Sequence, residues 1–136
     1  MSNGAALIYS VTNGPIAVLA NGTVPGGAII RRYGPVSQTA SGVVVYESGY
    51  YDIDLNITLE PVAAGNITVT LLDNGVEIPG ATALALGAPT VPVQFAIPAM
   101  IRTYRCGEPH NITVVLSAAA TVTNSALRVE RVRVNA

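Results

Sequence analysis

The chain contains no lysine, one cysteine and few charges: 11% of its 136 residues are ionised, and all seven cations are arginine. Each scarcity removes a class of protein. A single cysteine, Cys106, forbids a disulfide within one chain. A formal net charge of −1 lacks the basic excess that a phosphate-tracking surface requires, so nucleic acid is not an expected partner. No run reaches the roughly 18 uninterrupted apolar residues of a membrane span, and no span is expected. The first ten residues, "MSNGAALIYS", lack a basic region followed by an apolar stretch of signal length, so synthesis in the cytoplasm without a signal peptide is expected.

What remains is apolar. Half the residues are hydrophobic and mean hydropathy is positive, yet the hydrophobicity is dispersed in short runs. That distribution predicts a β protein with an unusually apolar surface, and contiguous exposed apolar area marks association. An obligate oligomer is expected. Arginine without lysine agrees with planar, bidentate pairing at interfaces and equally with compositional drift.

The local pattern is that of strands. In "YDIDLNITLE", Ile53, Leu55, Ile57 and Leu59 alternate with Asp52, Asp54, Asn56, Thr58 and Glu60, the pattern of a half-buried strand. Ile67, Val69 and Leu71 repeat it up to Asn74-Gly75, two residues that tolerate positive φ and predict a hairpin. Further strands are predicted at 5–11, 16–20, 27–33, 42–47, 76–86, 91–97, 111–117 and 126–134. Nine prolines and thirteen glycines punctuate them. Eight to ten short strands spaced about ten residues apart describe an all-β sandwich or jelly roll in a single domain, 1–136. Residues 1–26 are a candidate extended attachment segment. Near the C-terminus the phase slips: Leu127 and Val129 share one face and Val132 and Val134 the other, predicting either a bulge near Glu130-Arg131 or burial on both faces, one against a neighbouring subunit.

Candidate sites are sparse. Four Asn-x-Thr sequons, at Asn21, Asn56, Asn66 and Asn111, read as strand alternation in a chain without a secretion signal. Cys106 and His110 in "RCGEPH" have the spacing of two soft-metal ligands, but one of each per chain cannot complete a site, and a Gly-Pro loop is the expected reading. The same pair lacks a third orienting group, so catalysis is not expected, and neither is a cofactor. Asp52 and Asp54 share a strand face and are read as solvated, with calcium the minor alternative. Arg31-Arg32 place guanidinium groups on opposite strand faces, so one is expected to meet the core or a partner. Tyr50-Tyr51 are expected to split, one ring in the core and one at a subunit contact, with sugar stacking as the alternative. The predicted subunit interface comprises Tyr50, Tyr51, Arg31, Arg102, Tyr104, Val132 and Val134.

The segments "ESGYYDIDLNITLEP", "NITVTLLDNGVEIPGATA" and "NITVVLS…NSALRVERV", spanning roughly residues 42–134, resemble the tumour-necrosis-factor and complement globular-head jelly rolls. The chain is similar in particular to small bacterial and phage-encoded members, akin to the C-terminal heads of spore-surface collagen-like glycoproteins. The resemblance implies ten strands in two antiparallel sheets, a homotrimer, and a display or adhesion role on a virion, cell or spore surface. Partners implied are other copies of the chain and other virion or surface proteins, or a host glycan if it is instead a lectin-like module. No collagen-like stalk is present, and no acidic loop matches the calcium sites of some members.

Overall fold

The computed structural model describes residues 5–104 and 109–134. Ten strands make up the described chain: β1 (Leu7–Val18), β2 (Ala28–Tyr33), β3 (Val36–Thr39), β4 (Gly42–Val45), β5 (Gly49–Pro61), β6 (Gly65–Asp73), β7 (Val76–Gly87), β8 (Val93–Thr103), β9 (His110–Leu116) and β10 (Ala120–Arg133). They form two five-stranded sheets, one ordered β2-β1-β10-β5-β8 and the other β3-β4-β9-β6-β7. All the pairings are antiparallel.

Alternation in the sequence decides what lies between the sheets. On β5, Tyr51, Ile53, Leu55, Ile57 and Leu59 all point inward and are fully buried. They meet Ile67, Val69 and Leu71 of β6 and Ile112, Val114 and Leu116 of β9 in one continuous core. The side chain period of two leaves the intervening residues of each strand on the outer face. β10 lies between β1 and β5, paired along almost its whole length with both. Its inward residues Val122, Leu127 and Val129 are buried too.

The turn chemistry acts where the sequence placed it. Asp73 pairs with Val76, and the two residues between them have φ of 51° at Asn74 and 81° at Gly75, the left-handed conformation that a two-residue hairpin of matching twist demands. The strands predicted at 5–11 and 16–20 are a single strand, β1, continuous through Gly14-Pro15 with its register irregular between Asn13 and Ile16. β3 was not predicted, because four residues with one buried valine carry too little periodicity. β1 is an inner strand of the first sheet, so residues 7–18 belong to the sandwich.

Two further expectations are narrowed and one is corrected. At the C-terminus the structure takes the bulge of the two alternatives, one step beyond Glu130-Arg131: alternation runs on past Val129 and puts Arg131 in the inward slot, and β10 gains a residue over Tyr51 and Tyr50 between Arg131 and Arg133. Neither Arg31 nor Arg32 faces the core, since β2 is exposed along its entire length. Asn56, Asn66 and Asn111 lie in strands as expected, but Asn21 occupies a turn with φ of 61°, a conformation asparagine tolerates.

Leu55 is packed on all sides at the centre of the core, so Leu55→Ala is expected to lower unfolding free energy by about 2–5 kcal/mol in urea titrations. Leu86→Ala, on a side chain that is 80% exposed, is expected to change it by less than about 0.5 kcal/mol.

Candidate functional site

The outward residues of the first sheet line up across its strands. One row, set by register, runs Arg31, Tyr9, Arg128, Asp54 and Pro98. The next runs Tyr33, Leu7, Glu130, Asp52 and Met100. Large exposed apolar side chains collect on this sheet and at its ends: Tyr9, Ile30, Tyr33, Met100, Tyr104 and Val132. Ala96 and Ala126 are small, and between Tyr9, Pro98 and Arg128 they leave a shallow depression. The outer face of the second sheet is richer in threonine and asparagine, with Thr68 and Thr70 of β6 and Asn111 and Thr113 of β9.

At the centre of the first face a single cation serves three carboxylates. Arg128 is hydrogen-bonded to Asp54, donates to Glu130 Oε1 at 2.9 Å and lies 3.5 Å from Asp52 Oδ2. The hydrogen bond to Asp54 raises the Arg128 pKa above the usual guanidinium value, against a smaller desolvation effect. The cluster has a net charge of −2, and its members are a third or more exposed in the isolated subunit. Exposed ion pairs of this kind contribute little to folding. Asp52 and Asp54, read as a solvated pair, are instead gathered by the facing arginine of β10.

Seven residues were predicted as interface, and the structure separates them. Tyr50, Arg102 and Tyr104 come together at one end: the Arg102 guanidinium lies 5.4 Å from the Tyr50 ring centroid and 4.4 Å from that of Tyr104. Val132 and Val134 are exposed beside them, next to Arg133, which pairs with Tyr50. Arg31 stands on the opposite edge of the same sheet, beside Tyr9. Tyr51 is the correction: its ring is wholly buried in the subunit's own core, because the inward phase of β5 begins with it. Among the described residues Arg31 and Arg102 have no carboxylate partner. Three further members of the face, Tyr9, Met100 and Glu130, were missed. Their signal was the shared outward phase of β5 and β10, which becomes visible once the register is known.

Arg131 binds the opposite side of this end together. Its side chain is 4% exposed. Nε donates to the Tyr51 hydroxyl at 3.3 Å and Nη2 to Glu47 Oε1 at 3.0 Å. The Tyr51 hydroxyl and Thr103 Oγ1 in turn donate to the Glu47 carbonyl, at 3.0 and 2.6 Å. Burial works against the Arg131 charge, but the bonds to Tyr51 and Glu47 outweigh it and the pKa is raised. A raised guanidinium pKa contributes stability at every pH below the ordinary guanidinium value, and that contribution is lost only above it.

Cys106 and Arg105 lie outside the described residues. His110 has its Nδ1 2.9 Å and 3.1 Å from the two carboxylate oxygens of Asp73, across from the β6–β7 hairpin. Among the described residues no group of histidine, cysteine or carboxylate side chains is arranged to hold a metal ion, and no helix is long and apolar enough to cross a membrane.

No family model matches this chain, and no curated protein matches it. Solved structures do. The globular domain of zebrafish complement 1qA superposes with a TM-score of 0.75 at 9% identity, covering 96% of this chain and 99% of that one. The fold is a TNF-like jelly roll. Murine APRIL gives a TM-score of 0.71 at 12% identity over 94% of this chain and 99% of its own. The vertex protein P5 of PRD1 gives 0.64 at 14% identity, over 96% of this chain and 73% of its own. The jelly roll implied by the resemblance in the sequence is therefore the one observed.

Removing the buried arginine is expected to be costly at this end of the sandwich. Arg131→Ala leaves the Tyr51 hydroxyl and the Glu47 carboxylate short of a donor and should lower stability by about 1.5–3 kcal/mol. Arg131→Lys should recover only part, since one ammonium cannot reproduce the two-branched contact. Urea denaturation of the three proteins checks the order.

Proposed function

We propose that this protein is a non-enzymatic homotrimer that serves as a structural or surface-display component of a phage particle or bacterial surface assembly, and that the outer face of the first sheet is where its copies meet. One observation carries the reading: that face combines exposed Tyr9, Met100 and Val132 with an acidic cluster two cations short of balance, while Arg31 and Arg102 lack carboxylates at its two edges. A copy that brought Arg31 or Arg102 against Asp52, Asp54 and Glu130 of the next would cover apolar area and reduce the charge excess in one step. Different patches meet in such a contact, so it is head-to-tail, and a head-to-tail contact closes into a ring of three when each copy is turned by a third of a circle from the last.

The magnitudes permit it. A standard contact buries roughly 1,600 Å² in total. If about 60% of that is apolar, at about 25 cal/mol per Å² the gain is about 24 kcal/mol, set against an association cost of about 4–15 kcal/mol. The likeness to complement 1qA and APRIL supports a trimer, and the likeness to the PRD1 vertex protein supports a virion setting. Kinship with spore-surface heads belongs to this proposal as well, as does a location on a virion or cell surface. Three copies held together would bind a surface partner far more tightly than one.

A second reading, a carbohydrate-binding module, is favoured by one feature. Arg102 stacked beside the Tyr50 and Tyr104 rings presents guanidinium donors and aromatic faces together, and Tyr104 is 70% exposed.

Light scattering on the full chain at micromolar concentration is expected to give about three times the 14.0 kDa chain mass. Met100→Asp adds a carboxylate opposite Asp52 and is expected to yield folded monomers with unchanged far-ultraviolet circular dichroism. Monomeric wild-type protein that binds a glycan array would overturn the trimer and favour the second reading.

A further inference from the structure

The core is not apolar throughout. At the corner where β1 and β10 face β3, the inward slots are filled by Ser10, Thr12, Ser125 and Gln38 instead of aliphatic residues. Ser10, Thr12 and Ser125 are buried, and Thr12 lies directly opposite Ser125 in the β1–β10 register. These four side chains border a partly open cavity of about 20 Å³, lined elsewhere by the Val24–Gly27 and Ser41–Val43 segments and by Val114 and Leu127.

The hydrogen bonds around this cavity leave a specific deficit. Gln38 Nε2 donates to the Gly27 carbonyl at 2.6 Å, which fixes the orientation of the amide, since the reversed amide would set two oxygens against each other. Gln38 Oε1 is fully buried and accepts no hydrogen bond from a described residue, and the Gln38 side chain lines the cavity. The hydroxyls of Ser10 and Ser125 make no hydrogen bond to a described residue. Thr12 Oγ1 donates to the Pro25 carbonyl at 3.3 Å and retains its lone pairs. Two hydroxyl donors and two acceptors thus surround a space above the roughly 10–15 Å³ that one water needs, in a site that offers the usual two to four polar partners.

We infer that this corner is an internal hydration site holding one ordered water, which donates to Gln38 Oε1 of the second sheet and bonds to the hydroxyls of the first. A buried amide oxygen without a partner is costly, and a water that joins it to Ser10, Thr12 or Ser125 removes that cost and ties the sheets together. The site also secures a strap. Residues 24–27 cross from the second sheet, where Val24 N donates to the Val114 carbonyl at 2.8 Å, to the start of β2. Gly27 presses so closely on β1 that an added Cβ would come within 2.2 Å of the Val11 carbonyl oxygen. Since β2 otherwise pairs only with β1, the watered corner sets where the Arg31 edge begins.

A high-resolution crystal structure of the full chain tests this directly. The expected result is one density peak about 2.7–3.2 Å from Gln38 Oε1; a cavity without density would overturn it. Ser125→Val supplies an independent reading in solution. If the site is hydrated, filling it with methyl groups strands the Gln38 oxygen, and Tm falls by roughly 3–6 °C, less so in a Gln38→Met background where no acceptor remains to be stranded. An unchanged or higher Tm for Ser125→Val, or an equal fall in both backgrounds, would show the cavity to be dry.

Discussion

The pairing of β5 with β10 at the centre of the first sheet is the constraint on which both faces depend. The two strands run antiparallel from Ala120 opposite Pro61 to Arg131 opposite Tyr51, and each alternates with period two. A register in which Leu55 faces Leu127 forces Asp54 to face Arg128 and Asp52 to face Glu130. Slipping either strand by one residue would turn the carboxylates into the core and the isoleucines into solvent, a change no sandwich could absorb. The core and the charged outer cluster are therefore two consequences of a single register.

The isolated subunit is not short of burial in bulk. Its accessible surface of 6918 Å² is close to the about 6,700 Å² expected for a folded monomer of this mass. Total area thus supplies no drive to associate, contrary to what the apolar composition alone suggests. In the proposed assembly the drive comes from distribution. Tyr9, Met100 and Val132 share a sheet face with a cluster of net charge −2, whereas buried Arg131 on the other side of β10 is fully served by Tyr51 and Glu47. Arg131 is bonded within the subunit, whereas Arg128, Arg31 and Arg102 lie on the face proposed to meet a second copy.

Much of the fold was legible from the sequence because local and global signals agree. The strict alternation of residues 52–60, the Asn74-Gly75 turn and the spacing of prolines and glycines all pointed to a two-sheet β protein. What escaped were features fixed by partners distant in sequence. Arg131 looks like one of a run of C-terminal surface arginines until Glu47 and Tyr51, some eighty residues earlier, are brought to it. Val132 and Val134 look like a core face until that arginine claims the inward slot. For Arg31-Arg32 the choice between core and partner stayed open, because nothing in "IIRRYG" reveals that β2 is exposed along its whole length. The polar corner of Ser10, Thr12, Gln38 and Ser125 was invisible for the same reason: its members come from three strands and carry no pattern within any one of them.

Which face is covered in solution decides the account, and hydroxyl-radical footprinting of the intact protein at micromolar concentration reads it. Met100 is 54% exposed in the subunit and lies on the sheet face of the proposed contact, while Leu86, 80% exposed, lies on the second sheet. Strong protection of Met100 and Tyr9, with Leu86 labelled freely, is the predicted result. Met100 labelled as readily as its exposure in the lone subunit allows would contradict the account.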